Sequence, residues 1–137
     1  EGVTKMYKIL ILLSFLVFSF SVNAAVEDDL KTSTRKALNK IDAQKEDCYK
    51  KAEFSATANG CLEDSFKRQK VIVDTFVDIK ARKQDPEQLL RTYEDQDVFN
   101  KSIKACELLL KLSSPNDKYF YVYNCKLNAL KQYFEYQ

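Results

Sequence analysis

Between Ala25 and Gln137 the chain carries one glycine, Gly60, and two prolines, Pro86 and Pro115. A β-protein of this size needs repeated tight turns, and Gly, Asn and Pro supply the backbone conformations that close them. Without those residues the chain cannot reverse direction often, so the fold class it points to is all-α. The apolar residues agree, because they recur three and four apart along most of the chain.

This periodicity places four to five helices. The first is expected from about Val26 to Glu53, with Leu30, Thr34, Ala37, Leu38, Ile41, Cys48 and Ala52 on one side. Ser55 to Gly60 is expected to break it, with Gly60 in a left-handed cap. The second runs from about Cys61 to Lys83 and buries Leu62, Phe66, Val73, Phe76, Val77 and Ile79. Asp85-Pro86 reads as an N-cap followed by proline in the first helical position, so a third helix starts there and carries Leu89, Leu90 and Tyr93 to an end near Asp95. A fourth, from about Asp97 to Leu112, carries Val98, Phe99, Ile103, Cys106, Leu109 and Leu110, and Ser113-Ser114-Pro115 stops it. Ser114 is placed to cap the last helix, which runs to about Tyr136, with Asp117 near its positive end.

Met6 to Ala24 reads as a secretory signal peptide. Lys8 provides the positive n-region, an apolar stretch runs from Ile9 to about Val22, and Val22-Asn23-Ala24 offers compact residues for cleavage after Ala24. The stretch is shorter than the ~20 residues of a spanning helix. Glu1 to Lys5 precede the start methionine and are read as upstream residues. The remainder, 25–137, is one secreted, extracellular domain, expected to be monomeric and free of the membrane after cleavage. Removing Glu1, Lys5 and Lys8 from 22 basic and 20 acidic side chains leaves 20 against 19. That balance provides no global attraction to nucleic acid or to an anionic membrane.

Export makes the cysteines legible. Cys48, Cys61, Cys106 and Cys125 are separated by 12, 44 and 18 residues, with no CxxC. An even number in an exported chain argues for two disulfides. Of three possible pairings, Cys48–Cys61 and Cys106–Cys125 are favoured, because each brackets a turn between two helices. Each would stabilise a small core by ~3 kcal/mol in the chain-entropy model.

The chain contains no histidine. That removes Ser-His and Cys-His nucleophile pairs, the usual general base near neutral pH, and the common zinc sets. The acidic groups Asp28 and Asp29, Glu63 and Asp64, and Glu94, Asp95 and Asp97 fall at helix ends or on polar faces. The last also lacks the glycine and closing glutamate of a calcium loop. No enzyme activity, metal or cofactor is expected. The basic runs Lys67-Arg68-Lys70 and Lys80-Arg82-Lys83 have acids nearby and read as solvated faces before polyanion sites. Asn100-Lys101-Ser102 is a glycosylation sequon, here inside a helix.

Aromatic residues crowd the C-terminal segment: Tyr119, Phe120, Tyr121, Tyr123, Tyr133, Phe134 and Tyr136. They do not fit one helical face, so some must be exposed, line a cavity or meet a partner, for which a ring with a polar tip is suited.

The segment Asn116-Asp117-Lys118-Tyr119-Phe120-Tyr121-Val122-Tyr123-Asn124-Cys125 resembles the insect odorant-binding protein family, pheromone and general odorant binders, in its reduced-cysteine form. Asn116 stands where the penultimate cysteine would be, Ser65 stands four residues after Cys61, and Cys106 and Cys125 would correspond to a retained bridge. The interval from Cys48 to Cys61 is shorter than the family norm and looks more like the shortened salivary forms of biting flies. Four-cysteine helical salivary inhibitors of complement or clotting are similar in size and layout. The resemblance implies small secreted helical proteins whose disulfides tie helices around an apolar cavity, and hence binding.

Two functions are therefore expected. The first is a carrier for a small hydrophobic molecule, with Phe66, Val73, Phe76, Phe99, Ile103, Phe120, Tyr123 and Leu127 lining an interior cavity. The second is an inhibitor of an extracellular host protein, with Tyr133, Phe134 and Tyr136 as exposed anchors.

Overall fold

The computed structural model describes residues 25–112, 114 and 117–137. The signal peptide expected over Met6 to Ala24, with the residues before it, lies outside the described residues. The architecture is all-α: α1 (Gly2–Lys51), α2 (Ser55–Ala81), α3 (Pro86–Cys106), the single turn α4 (Leu109–Leu112) and α5 (Lys118–Tyr136). Among the described residues there is no strand, and no helix is long and apolar enough to cross a membrane. The chain divides into two units, Glu1–Ser33 and Thr34–Gln137. In the first, α1 is exposed from Ala25 to Asp29.

The second unit is a bundle in which α5 packs against α2, α3 and α4. Its centre is Val73 and Phe76 of α2 against Leu130 and Phe134 of α5, all essentially solvent-free. Phe76 and Phe134 meet edge to face with centroids 5.3 Å apart, an arrangement favoured by the ring quadrupoles. Thr34, Leu38 and Ile41 of α1, Phe66 and Val77 of α2, Phe99 of α3, and Val122 and Leu127 of α5 complete the buried set. Gln69, also buried, donates to Asp42 Oδ1 (2.9 Å) and to Ser65 Oγ (3.0 Å), so its amide is satisfied where α1 meets α2.

Both favoured disulfides are present. Cys48–Cys61 ties the end of α1 to α2 and Cys106–Cys125 ties the end of α3 to α5, with Cα separations of 5.8 and 5.7 Å.

Three boundaries differ from expectation. The first break falls at Ala52–Phe54 instead of Ser55–Gly60, with Phe54 extended at φ −128° and ψ 149°. Gly60 lies inside α2, and no glycine has positive φ among the described residues. A helix interior tolerates one glycine at a cost of about 1 kcal/mol, and the adjacent Cys61 bridge and buried Leu62 outweigh it. The expected third and fourth helices are one helix as far as Cys106, and the last turn expected of the fourth, Leu109–Leu112, stands apart from it as α4. The acids from Glu94 to Asp97 do not interrupt α3, because Lys101 pairs with Asp97 at 2.6 Å one turn on. Finally, the Ser114 hydroxyl donates to Asp117 Oδ2 (2.9 Å), and the Ser114 carbonyl, not its side chain, meets the Asp117 and Lys118 N–H groups at the start of α5. The Asp85-Pro86 start of α3 is as expected, with Asp85 Oδ1 accepting from Gln88 N at 2.9 Å.

Candidate functional site

Two strips of side chains, one on each of two antiparallel helices, build a cleft. On α3 the strip is Asp95, Val98, Phe99 and Ser102, and on α5 it is Ala129, Gln132, Tyr133 and Tyr136. Both follow the i, i+3, i+4, i+7 spacing that puts four side chains on one helical face. Antiparallel register follows from two fixed points, the Cys106–Cys125 bridge and the contact between Phe99 and Tyr133. One turn from the bridge the facing residues are Ser102 and Ala129, which are too small to fill the space between two helix axes. The result is a cleft of about 430 Å³, open to solvent on one side.

Its floor is aromatic. The Phe99 and Tyr133 rings stack with centroids 4.5 Å apart and planes within 9° of parallel. Both are buried, with Tyr133 only 7% exposed, whereas Val98 (63%) and Tyr136 (75%) stand at the mouth. The Tyr133 hydroxyl is buried and has no hydrogen-bond partner among the described residues. Burial, reinforced by the Asp74 and Asp95 carboxylates, pushes its pKa up to about 12. The cleft's polar groups are Asp95, Ser102 and Gln132, and no basic side chain lines it.

A second groove, about 140 Å³, runs between α1, α2 and α5. Its lining combines the polar side chains of Asn39, Asp42, Lys45, Gln69, Asn124, Asn128 and Lys131 with core residues that include the expected Val73 and Leu127, and the Arg35–Glu135 pair borders it, with Nη2 2.7 Å from Oε2. Space for a few waters among so many amides and charges suits hydration better than an apolar ligand.

The interior-cavity residues do not gather around one void. Phe66, Val73, Phe76 and Leu127 are packed core side chains. Ile103 is half-buried beside the α3 strip but outside it, and Phe120 is exposed. Tyr123 is half-buried, and burial together with the Glu63 carboxylate pushes its hydroxyl pKa up. Only Phe99 of the eight reaches the large cleft. Of the three residues expected as exposed anchors, Tyr133 and Phe134 are core residues and Tyr136 alone is exposed, because α5 turns its 130, 133 and 134 positions onto α2 and α3.

Exposed rings gather elsewhere. Tyr49 of α1 lies 6.3 Å from Phe120 of α5, and Phe120 lies 5.5 Å from Tyr121, all three substantially exposed. The first basic run is held by neighbouring acids, Lys67 by Glu63 (2.6 Å), Arg68 by Asp64 (3.5 Å) and Lys70 by Asp74 (2.6 Å). In the second, Lys80 donates to the Gln137 carbonyl while Arg82 and Lys83 are exposed. Asn100 is exposed on α3, two residues before the cleft residue Ser102.

No protein-family model, curated protein or solved structure significantly matches the chain.

Proposed function

We propose that this chain is a secreted carrier that sequesters a small, largely apolar molecule in the cleft between α3 and α5. The observation that carries the reading is the cleft itself: about 430 Å³ over a stacked Phe99–Tyr133 floor, beside an otherwise packed core. This volume falls in the range of small-molecule sites. A ligand that withdraws ~200 Å² of apolar surface from water at ~25 cal/mol per Å² would gain ~5 kcal/mol before the entropy of association is subtracted. The helical fold stapled by two disulfides fits an oxidising compartment. The apolar leader and the resemblance to odorant-binding proteins support export and carriage. Native mass spectrometry of the chain recovered from a secreting host, before and after mild organic extraction, tests the proposal. A small adduct that extraction removes, absent from a Ser102→Trp variant, is the expected result; identical bare masses from both proteins even after soaking with apolar ligands contradict it.

A second reading has its own observation. The rings of Tyr49, Phe120 and Tyr121 form a contiguous exposed cluster drawn from two helices, the kind of surface that anchors a protein partner. An inhibitor of an extracellular host protein would use it. Replacing Phe120 and Tyr121 with alanine would then abolish partner capture while leaving small-molecule binding intact.

A further inference from the structure

Resting on the carrier reading, the chemistry of the cleft narrows its ligand to one class. We infer that it takes a small organic cation, an ammonium group carried on an apolar or aromatic body.

The argument begins with charge. Three neighbouring acids are already engaged, Glu87 with Arg91 and Asp97 with Lys101 along α3, and Asp74 with Lys70 on α2, and Glu94 does not line the cleft. Asp95 lines the cleft and has no ion-pair partner among the described residues. The nearest unspent base along α3, Lys104, lies beside Glu107 at the far end of the helix and does not line the cleft. The site therefore presents one carboxylate and no compensating cation.

The other walls select what that carboxylate would meet. A ligand with its own carboxylate, such as a fatty acid, would face Asp95 with no basic group to receive it. A neutral apolar ligand would use the floor and ignore the charge. An ammonium ion uses both, donating charge-assisted hydrogen bonds to the carboxylate while its body lies on the rings. Tyr136 at the mouth adds a ring face to which a cation is attracted.

Isothermal titration calorimetry with 2-phenylethylamine and its neutral analogue 2-phenylethanol separates this inference from the reading beneath it. On the unaltered chain the amine is expected to bind at least about tenfold more tightly than the alcohol. Asp95→Asn should remove that preference, bringing the amine and the alcohol to equal affinity, and Ser102→Trp should abolish both. Equal affinities on the unaltered chain overturn the cation inference and leave the cleft standing. A preference for the amine that survives Asp95→Asn overturns the role given to Asp95. If neither probe binds, the cleft reading falls with the inference.

Discussion

The Phe99 ring lies flat on Tyr133, centroids 4.5 Å apart, and the Tyr133 hydroxyl beyond that stack is buried without a partner. The stack stabilises the α3–α5 contact, while the orphan hydroxyl opposes it, since a buried unsatisfied polar group costs about 1–3 kcal/mol. Tyr133→Phe keeps the ring and removes the cost. The variant should be more stable than the parent by about 1 kcal/mol in urea unfolding at neutral pH.

The same residue sets an alkaline limit. Its folded pKa of about 12 lies above the ordinary 10 of tyrosine. Such a group keeps its proton longer when folded, so its contribution is complete below pH 10 and is lost as pH rises toward 12. Unfolding free energy measured across that window should fall more steeply for the parent than for Tyr133→Phe. Equal slopes would remove Tyr133 as the cause.

Gly60 sits in the interior of α2 with ordinary helical backbone, and a methyl group added there would meet no atom within 4 Å. Gly60→Ala should stabilise the fold by about 0.5–1 kcal/mol, by restricting the unfolded chain and favouring the helix. Thermal unfolding reads this as a rise of a few degrees; a fall would mean that the helix does not pass through residue 60.

The Cys106–Cys125 bridge lies one turn from Ser102 and Ala129, so it fastens the two walls of the cleft at one end. Replacing both cysteines with serine opens a loop of 19 residues and should cost about 3 kcal/mol. Ligand affinity should fall with it. The corresponding Cys48–Cys61 variant should lose stability with less effect on the cleft, and calorimetry on the two variants distinguishes the bridges.

Acid should act on two surface contacts. Lys67 holds the Glu63 carboxyl, and Lys126, 2.9 Å from Glu107, holds that carboxyl, below the ordinary 4.5. Groups whose folded pKa is depressed contribute above the unfolded value and lose that contribution as pH falls through the folded one. With no histidine in the chain, stability should be nearly flat from about pH 6 to 8 and decline below about pH 4. Lys126→Met should blunt the Glu107 part of that decline.

Much of the fold was legible because it is local. The near absence of glycine and the three-to-four spacing of apolar residues gave the class, and the cysteine spacing gave both disulfides. Phe66, Val73, Phe76 and Val77 were recognisable as a buried stripe. The helix breaks were less legible: Gly60 and the Glu94–Asp97 acids are interrupting residues by type, but a bridge and an i,i+4 ion pair carry the helices through them. The cleft was missed for another reason. Neither the Asp95 strip nor the Ala129 strip is distinctive alone, and the space between them exists only once α3 and α5 are paired in antiparallel register. The Cys106–Cys125 pairing contained that register, since stepping one turn from each cysteine reaches Ser102 and Ala129. Tyr133 and Phe134 were misjudged as anchors because aromatic crowding does not say which rings turn inward.

The most direct test of the central proposal is a ¹H–¹⁵N NMR titration of the intact, oxidised chain with 2-phenylethylamine and 2-phenylethanol. Carriage through the α3–α5 cleft predicts saturable shifts confined to the cleft strips, Asp95, Val98, Phe99 and Ser102 on α3 and Ala129, Gln132, Tyr133 and Tyr136 on α5, with Tyr49, Phe120 and Tyr121 unmoved. Shifts confined to that second group, or none at saturating probe, would contradict it.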